Sequence, residues 1–138
     1  DGATPHDTEA KKQALAGLRD RAIAIGCGDE NATVRARAVQ LARPDPRSAA
    51  AFYQAALADA SPVVRGCAAP CCGECMGRDA LLLLLPALAA EQDGAAFRAM
   101  HEALCTLVPN APELPPQDED RAERRTAVLA AWRQRCQS

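Results

Sequence analysis

Apolar residues recur along this chain with the spacing of amphipathic helices. In the leucine-rich stretch, Leu81, Leu84, Leu85 and Leu88 follow the i, i+3, i+4, i+7 pattern of one buried helix face. Glycine and proline residues separate this stretch from similar ones before and after it. The pattern predicts an all-α fold without a sheet. Its helices are expected near residues 7–25, 31–43, 47–58, 62–75, 79–91, 95–108 and 118–136.

Three segments of the chain are similar to one another and indicate an internal repeat. Residues 29–42 return as residues 59–69 and, more loosely, as residues 93–100. Each segment opens with an aspartate and continues with an apolar residue followed by an arginine, and successive arginines are 30 and 33 residues apart. A period of this length is typical of architectures that stack one helix pair per repeat.

The second repeat carries a family pattern. It reads Asp59-Ala-Ser-Pro-Val-Val-Arg-Gly-Cys-Ala-Ala69, continues through Gly77-Arg-Asp79 and closes on Pro86-Ala-Leu88. This resembles the short HEAT-like repeat shared with phycobilin lyases, which runs Asp-x-x-x-x-Val-Arg-x-x-Ala-Ala, then Leu-Gly-x-Leu-Gly-Asp, then Pro-Ala-Leu. The first repeat matches over its opening helix only, and the third departs from the pattern after Arg98.

The resemblance covers residues 29–108 and implies a fold more firmly than an activity. The implied fold is a right-handed α-solenoid of about three HEAT-like helix pairs, with the flanking helices as caps. A chain of 138 residues is long enough for one core, so we expect residues 1–138 to form a single repeat domain. Within it, residues 1–6 are expected to be disordered, and the proline-rich residues 109–117 are expected to connect to the last helix.

Composition and charge narrow the function classes. The formal net charge of −2, from 16 basic and 18 acidic side chains, gives no general attraction for phosphate backbones. Aromatic residues make up 3% of the chain, which leaves few rings to stack on bases. Nucleic-acid binding, as in HEAT-like DNA glycosylases, is therefore a third and disfavoured function.

The sequence also bears on membrane insertion and on the cellular compartment. The longest apolar run, residues 80–90, is too short for a membrane span, which needs about 20 apolar residues. Seven cysteines and a start at Asp1 lean towards an exported protein over a cytoplasmic one, and the compartment itself stays open.

A cluster of cysteines on one predicted helix is the most evident candidate for chemistry. Cys67, Cys71, Cys72 and Cys75 could in principle bind a soft metal or form a redox pair. In the repeat pattern, however, the last three fall on core positions that hold alanine or leucine. Since free cysteine packs as a small apolar residue, we expect structural thiols and no metal site.

Helix geometry also bears on two possible disulfides. Cys27 precedes one repeat and Cys67 lies one turn into the next, so a disulfide between them is conceivable in an oxidising compartment. Cys105 and Cys136 should lie near opposite ends of antiparallel helices and are not expected to pair.

The repeated charges are expected to form a structural ladder in which each arginine meets the acidic turn of a neighbouring repeat. A ladder for phosphates is the alternative reading. The residues concerned are Arg35, Arg65, Arg98, Asp29, Asp59 and Asp93.

No catalytic residue and no cofactor are predicted. The pair His101-Glu102 is similar to the His-Glu pairs of HEAT-type deoxyhypusine hydroxylases, but those enzymes need several such pairs and this chain has one. The sequence also lacks a nucleophile motif, a phosphate loop and paired carboxylates on an apolar face.

The predicted binding surface is an apolar ridge on the second helix of each repeat. Leu83 lies opposite the expected buried face, and counting back from the closing turns places residues of the preceding unit beside it. The ridge comprises Ala49, Tyr53, Leu83, Ala87 and Ala90. A neighbouring helix or a dimer partner could equally cover it. Trp132 is expected to seal the end of the core.

These observations favour a protein-binding module or adaptor whose partner is another protein. A binder of small molecules or chromophores, related to phycobilin lyases, is the alternative. Partner and oligomeric state stay open.

Overall fold

The computed structural model describes residues 5–108 and 122–137, and these residues form helices without any strand. The all-α prediction is confirmed. The elements, in chain order, are α1 (Pro5–Cys27), α2 (Ala32–Leu41), α3 (Ala49–Leu57), α4 (Pro62–Met76), a 3₁₀ turn (Gly77–Ala80), α5 (Leu81–Ala90), α6 (Gly94–Leu107) and α7 (Ala122–Gln137).

The chain before α2 and after α6 differs in part from the prediction. Helix α1 begins at Pro5, inside the segment 1–6 that was expected to be disordered, and residues 1–4 lie outside the described part. The predicted connector 109–117 also lies outside the described residues.

Side-chain caps start the three helices that open the repeated segments. Asn31 accepts hydrogen bonds from the backbone N–H groups of Thr33 and Val34 at 2.8 and 3.4 Å. Ser61 and Asp93 cap α4 and α6 in the same way, at 3.2 and 2.9 Å from the donor nitrogens. Each cap satisfies an N–H group that has no partner within the helix, which fixes where these helices begin.

Two prolines lie inside helices without ending them. Helix α4 continues through Pro70, and α5 continues through Pro86. Helix α4 instead ends at Met76 and is capped by Gly77, whose φ of +61° lies in the left-handed region that glycine adopts without a Cβ clash. The 3₁₀ turn that follows displaces the start of α5 from the predicted residue 79 to Leu81.

The helices pack as two adjacent rows. Helices α2, α4 and α6 lie side by side in that order, α3 packs on α4 and α5, and α5 packs on α6. Helix α1 packs on α2, where a Cβ built on Gly26 would lie 3.0 Å from that of Ala38, and α7 packs on α5.

One core joins these rows. Its largest fully buried side chains come from α3 to α7 and pack in a single apolar cluster. They are Trp132, Tyr53, Phe97, Leu84, Leu88, Met100, Leu104, Val64 and Cys72.

Candidate functional site

An apolar groove of about 290 Å³ opens between α3 and α5. No charged side chain lines it, and Gln54 is its polar group. Leu82 stands at its edge with 79% of its surface exposed, the largest fraction among the exposed large apolar side chains of the described residues. The lining residues are Gln54, Leu57, Ala58, Leu82, Leu83, Pro86, Ala87 and Ala90.

Three residues of the predicted ridge line this groove, and the other two lie in the core. Leu83 and Ala87 are half-buried in the groove wall and Ala90 is exposed beside them. Ala49 and Tyr53, in contrast, are buried in the core with 3% and 2% of their surface exposed. The predicted exposure of Ala49 and Tyr53 was therefore wrong.

The error came from assuming that α3 and α5 have the same rotation about their axes. Ala49, Tyr53, Ala56 and Leu57 share one face of α3, and the structure turns that face inward. Tyr53 meets the ring of Phe52 edge-on, with centroids 5.1 Å apart. Burial, followed by the neighbouring Cys75 thiol, raises the pKa of Tyr53, so that its phenol stays neutral.

Leu82 and Pro86 are groove residues that the sequence interpretation missed. The apolar repeat gave Leu81 and Leu85 the same weight as Leu84 and Leu88, but only the last two are fully buried. Because residues advance by 100° per position, the point opposite Leu84 and Leu88 is the Leu82 and Pro86 face, and Leu83 lies on its flank.

The predicted ladder is present in a modified register. Arg35 donates from Nε and Nη2 to the two carboxylate oxygens of Asp59 at 3.1 and 3.0 Å, and from Nη1 to the carbonyl of Asp29 at 2.9 Å. Arg65 makes the equivalent paired contacts with Glu91 at 2.7 and 2.8 Å. Arg65 also donates to the carbonyl of Asp59 at 2.8 Å. Two successive turns are thus joined by bidentate ion pairs, the strong form of this contact.

Glu91, and not Asp93, takes the position of the acidic partner in the third turn. In each turn an acidic side chain accepts a hydrogen bond from the backbone N–H two residues later, and that later residue caps the next helix. The corresponding pairs are Asp29 with Asn31, Asp59 with Ser61, and Glu91 with Asp93. Aligning the third segment on Asp93 shifted it by two residues. Arg98 lies half-buried on α6.

Both acidic partners are held as carboxylates. The hydrogen bonds from Arg35 lower the pKa of Asp59 against the opposing effect of burial. Burial alone would raise the pKa of Glu91, but Arg65 and the backbone N–H groups of Asp93 and Gln92 together lower it. Because the guanidinium groups of Arg35 and Arg65 are engaged in these ion pairs, they are poorly placed to bind phosphates.

His101 is a buried part of the contact between α6 and α7. It is 2% exposed, and its Nδ1 accepts a hydrogen bond of 2.9 Å from Nε1 of Trp132, which is 1% exposed. Its Nε2 lies 3.4 Å from Sγ of Cys105. Because the indole N–H can only donate, Nδ1 must carry the lone pair, and the proton of the neutral ring resides on Nε2. In this tautomer Nε2 donates towards Cys105 and is not a base for that thiol.

The chain has seven cysteines, and the six whose side chains the structure describes are free thiols. Cys27 and Cys67 are not bridged, and the Cys67 sulfur lies 3.4 Å from Nε2 of Gln40. Cys72 is fully buried and its pKa is raised to about 11 by burial. Cys71 is half-buried and packs against the core, whereas Cys75 is exposed, so the expectation that Cys75 is a core residue was wrong.

The positions of the cysteines along α4 account for this difference. Cys72 shares the inward face with Ala68 and Ala69, and Cys71 is rotated about 100° from it. Cys75 lies one turn beyond Cys72 on the same side, next to the helix end at Met76, so its exposure reflects its place at the end of the helix. Among the residues that the structure describes, no three histidine, cysteine, aspartate or glutamate side chains come together as a metal site would require. The side chain of Cys136 lies outside the described part.

Thiol reactivity tests these environments. We expect an aromatic disulfide reagent to modify Cys75 at least about tenfold faster than Cys72 in the folded protein, because the thiolate is the reactive form and burial disfavours it at Cys72. Peptide mapping by mass spectrometry after timed quenching measures both rates. Cys75→Ser serves as the control and should remove only the fast modification. Equal rates at both sites would contradict the burial of Cys72.

Comparison with models of protein families, with curated proteins and with solved structures gave no match. Across the described residues, none of the helices has both the length and the apolar character of a membrane span.

Proposed function

We propose that this chain is a non-catalytic protein-binding module. In this proposal it is a short right-handed solenoid of HEAT-like helix pairs, and it holds a partner protein in the groove between α3 and α5.

The repeated turn supports the solenoid. Three turns share one hydrogen-bond pattern, in which an acidic residue precedes a helix cap by two positions. The helices that follow these turns, α2, α4 and α6, are successive neighbours, and α3 and α5 are neighbours in the second row. Regular stacking of this kind is the arrangement in which each unit contacts only the next.

The observation that carries the function is the exposure of Leu82 beside an uncharged groove. No described residue covers this leucine, although a fully buried leucine stabilises a protein by about 1.5–3 kcal/mol relative to an exposed one. A partner that covers Leu82 and fills the groove gains that burial. Interfaces centre on such apolar patches and have a polar rim.

The two alternatives receive less support. A small-molecule site needs several converging polar groups, and this groove offers the Gln54 amide alone among its side chains. Nucleic-acid binding is less favoured because the formal net charge is −2 and because Arg35 and Arg65, the arginines of the repeated segments, are engaged by Asp59 and Glu91.

Replacing Leu82 by glutamate tests the proposal. The variant should keep the stability of the parent within about 0.5 kcal/mol, because the side chain is 79% exposed. Its affinity for a partner recovered from the source cells should fall at least about tenfold, since a charge would then enter the apolar contact. Isothermal titration with the purified partner gives the dissociation constants.

Val63→Glu is the matched control. Val63 is 53% exposed on α4 and does not line the groove, so this variant introduces the same charge elsewhere. It should bind as the parent does. If both variants bind the partner like the parent, the groove is not the binding site. If Leu82→Glu unfolds the protein, the leucine belongs to the core.

A further inference from the structure

A second apolar surface lies between α1 and α2, apart from the α3/α5 groove. Leu15 of α1 is 66% exposed, and Val34 and Leu41 of α2 are 42% and 38% exposed, and all three line this surface. Leu18 and Ile25 of α1 are also exposed but do not line it. Three large apolar side chains exposed on one surface set it apart from scattered exposed leucines, which are normal.

Two adjoining cavities make this surface one trough. They measure about 350 and 300 Å³ and share the side chains of Arg19, Ile23 and Leu41. Gly26 belongs to the floor, where α1 and α2 approach closely. The trough follows the ten residues of α2, a length of about 15 Å, which matches a partner helix of two to three turns.

Three arginines line the trough, and one aspartate accompanies them. Arg19 and Arg37 border one cavity, while Arg19, Asp20 and Arg43 border the other. The charged lining is therefore mainly cationic, in a chain whose formal net charge is −2.

The hydrogen bonds of these arginines differ from those of the ladder. Arg19 and Arg43 contact the backbone carbonyls of Leu41, Gln40 and Ala42 at 2.8 to 3.5 Å, and Arg37 contacts the Gln40 side-chain amide at 3.4 Å. Within the described residues no carboxylate forms an ion pair with any of the three, whereas Arg35 and Arg65 each bind one. The trough thus combines an apolar floor with cationic groups whose charge is not neutralised by an ion pair there.

We infer that this trough binds an amphipathic helix with acidic flanks from another protein. The apolar side of such a helix would cover Ile23, Val34 and Leu41, and its carboxylates would reach the guanidinium groups of Arg19 and Arg37. Helices that dock in grooves do so through apolar residues spaced i, i+3, i+4 and i+7. This surface is separate from the α3/α5 groove, so the inference does not depend on the proposed function.

Two synthetic peptides test the inference directly. The first is a labelled helix of about 14 residues with leucines spaced i, i+3, i+4 and i+7 and glutamates on both flanks. The second carries lysine in place of every glutamate. Fluorescence anisotropy should show the acidic peptide binding at least about tenfold more tightly at about 50 mM salt, with a smaller difference at about 500 mM salt.

Paired variants locate the contact. Arg37→Glu should weaken binding of the acidic peptide at least about fivefold, while Arg47→Glu, an exposed arginine that does not line the trough, should not. Leu15→Glu should weaken it as well, and Leu82→Glu, in the α3/α5 groove, should leave it unchanged. Melting temperatures of all four variants should match the parent, because these side chains are exposed or line an open surface.

Three outcomes would overturn the inference. Equal affinity for both peptides would remove the acidic preference, and an unchanged affinity in both Arg37→Glu and Leu15→Glu would place the peptide elsewhere. A dimer in sedimentation equilibrium that Leu15→Glu dissociates would show that a second copy of this chain covers the trough.

Discussion

Replacing Trp132 by alanine is expected to lower the free energy of unfolding by about 3–5 kcal/mol. The indole is 1% exposed, and α7 packs against α5. The substitution removes the apolar ring from the core and takes the hydrogen-bond donor away from the buried Nδ1 of His101. Chemical denaturation followed by circular dichroism measures the loss.

Trp132→Phe separates the two contributions. Phenylalanine keeps most of the apolar area but has no N–H, so the remaining loss should be smaller, about 1–3 kcal/mol for one unsatisfied buried acceptor plus the missing ring. Nitrogen chemical shifts of His101 in the parent should show a proton on Nε2 and none on Nδ1. A proton on Nδ1, or a loss below about 1 kcal/mol in Trp132→Ala, would contradict the docking of α7 through this pair.

Replacing Arg65 by methionine should have an effect of similar size at neutral pH. The Glu91 side chain is 1% exposed, so the substitution leaves a buried carboxylate without its cation, and we expect a loss of about 3–5 kcal/mol. The matched variant is Arg35→Met. Its partner Asp59 keeps 17% of its side-chain surface in solvent, so we expect a smaller loss than in Arg65→Met.

The pH dependence gives the second readout. The pKa of Glu91 is lowered in the folded parent, so its contribution to stability is present above the usual value of 4.5 and is lost as the pH falls through the folded value. In Arg65→Met, protonation of Glu91 removes an unpaired buried charge instead. The difference in stability between parent and variant should therefore shrink between pH 7 and pH 4, and a difference that is constant with pH would contradict the role of the ion pair.

The helical fold could be predicted because helix formation depends on residues that are close together in the sequence. The helix caps Ser61 and Asp93 and the apolar spacing of α5 each act within one helix, so they can be recognised in a single sequence. Rotation of one helix against another is decided by packing in three dimensions, which is why Tyr53 was placed on the surface and Leu82 was overlooked. Repeat spacing alone would not correct this, since α3 and α5 differ in sequence.

The candidate surfaces were predictable to different degrees. Leu83, Ala87 and Ala90 were assigned from α5 alone and do line a groove, whereas the trough between α1 and α2 was not anticipated. The sequence shows that α1 contains apolar residues. It does not show that several of them stay exposed when α1 packs on α2. The two-residue shift from Asp93 to Glu91 shows the same limit, because side-chain length and turn geometry decide which acid reaches the arginine.

The contacts of Asp59 have a consequence for how the molecule unfolds under force. Its carboxylate holds Arg35 from the preceding segment, and its carbonyl accepts at 2.8 Å from Arg65 of its own segment, which in turn binds Glu91 in the next turn. Force applied along the helix rows would therefore pass from one turn to the next through this residue. Pulling should rupture the segments in a single event, and not one by one as in a string of independent units.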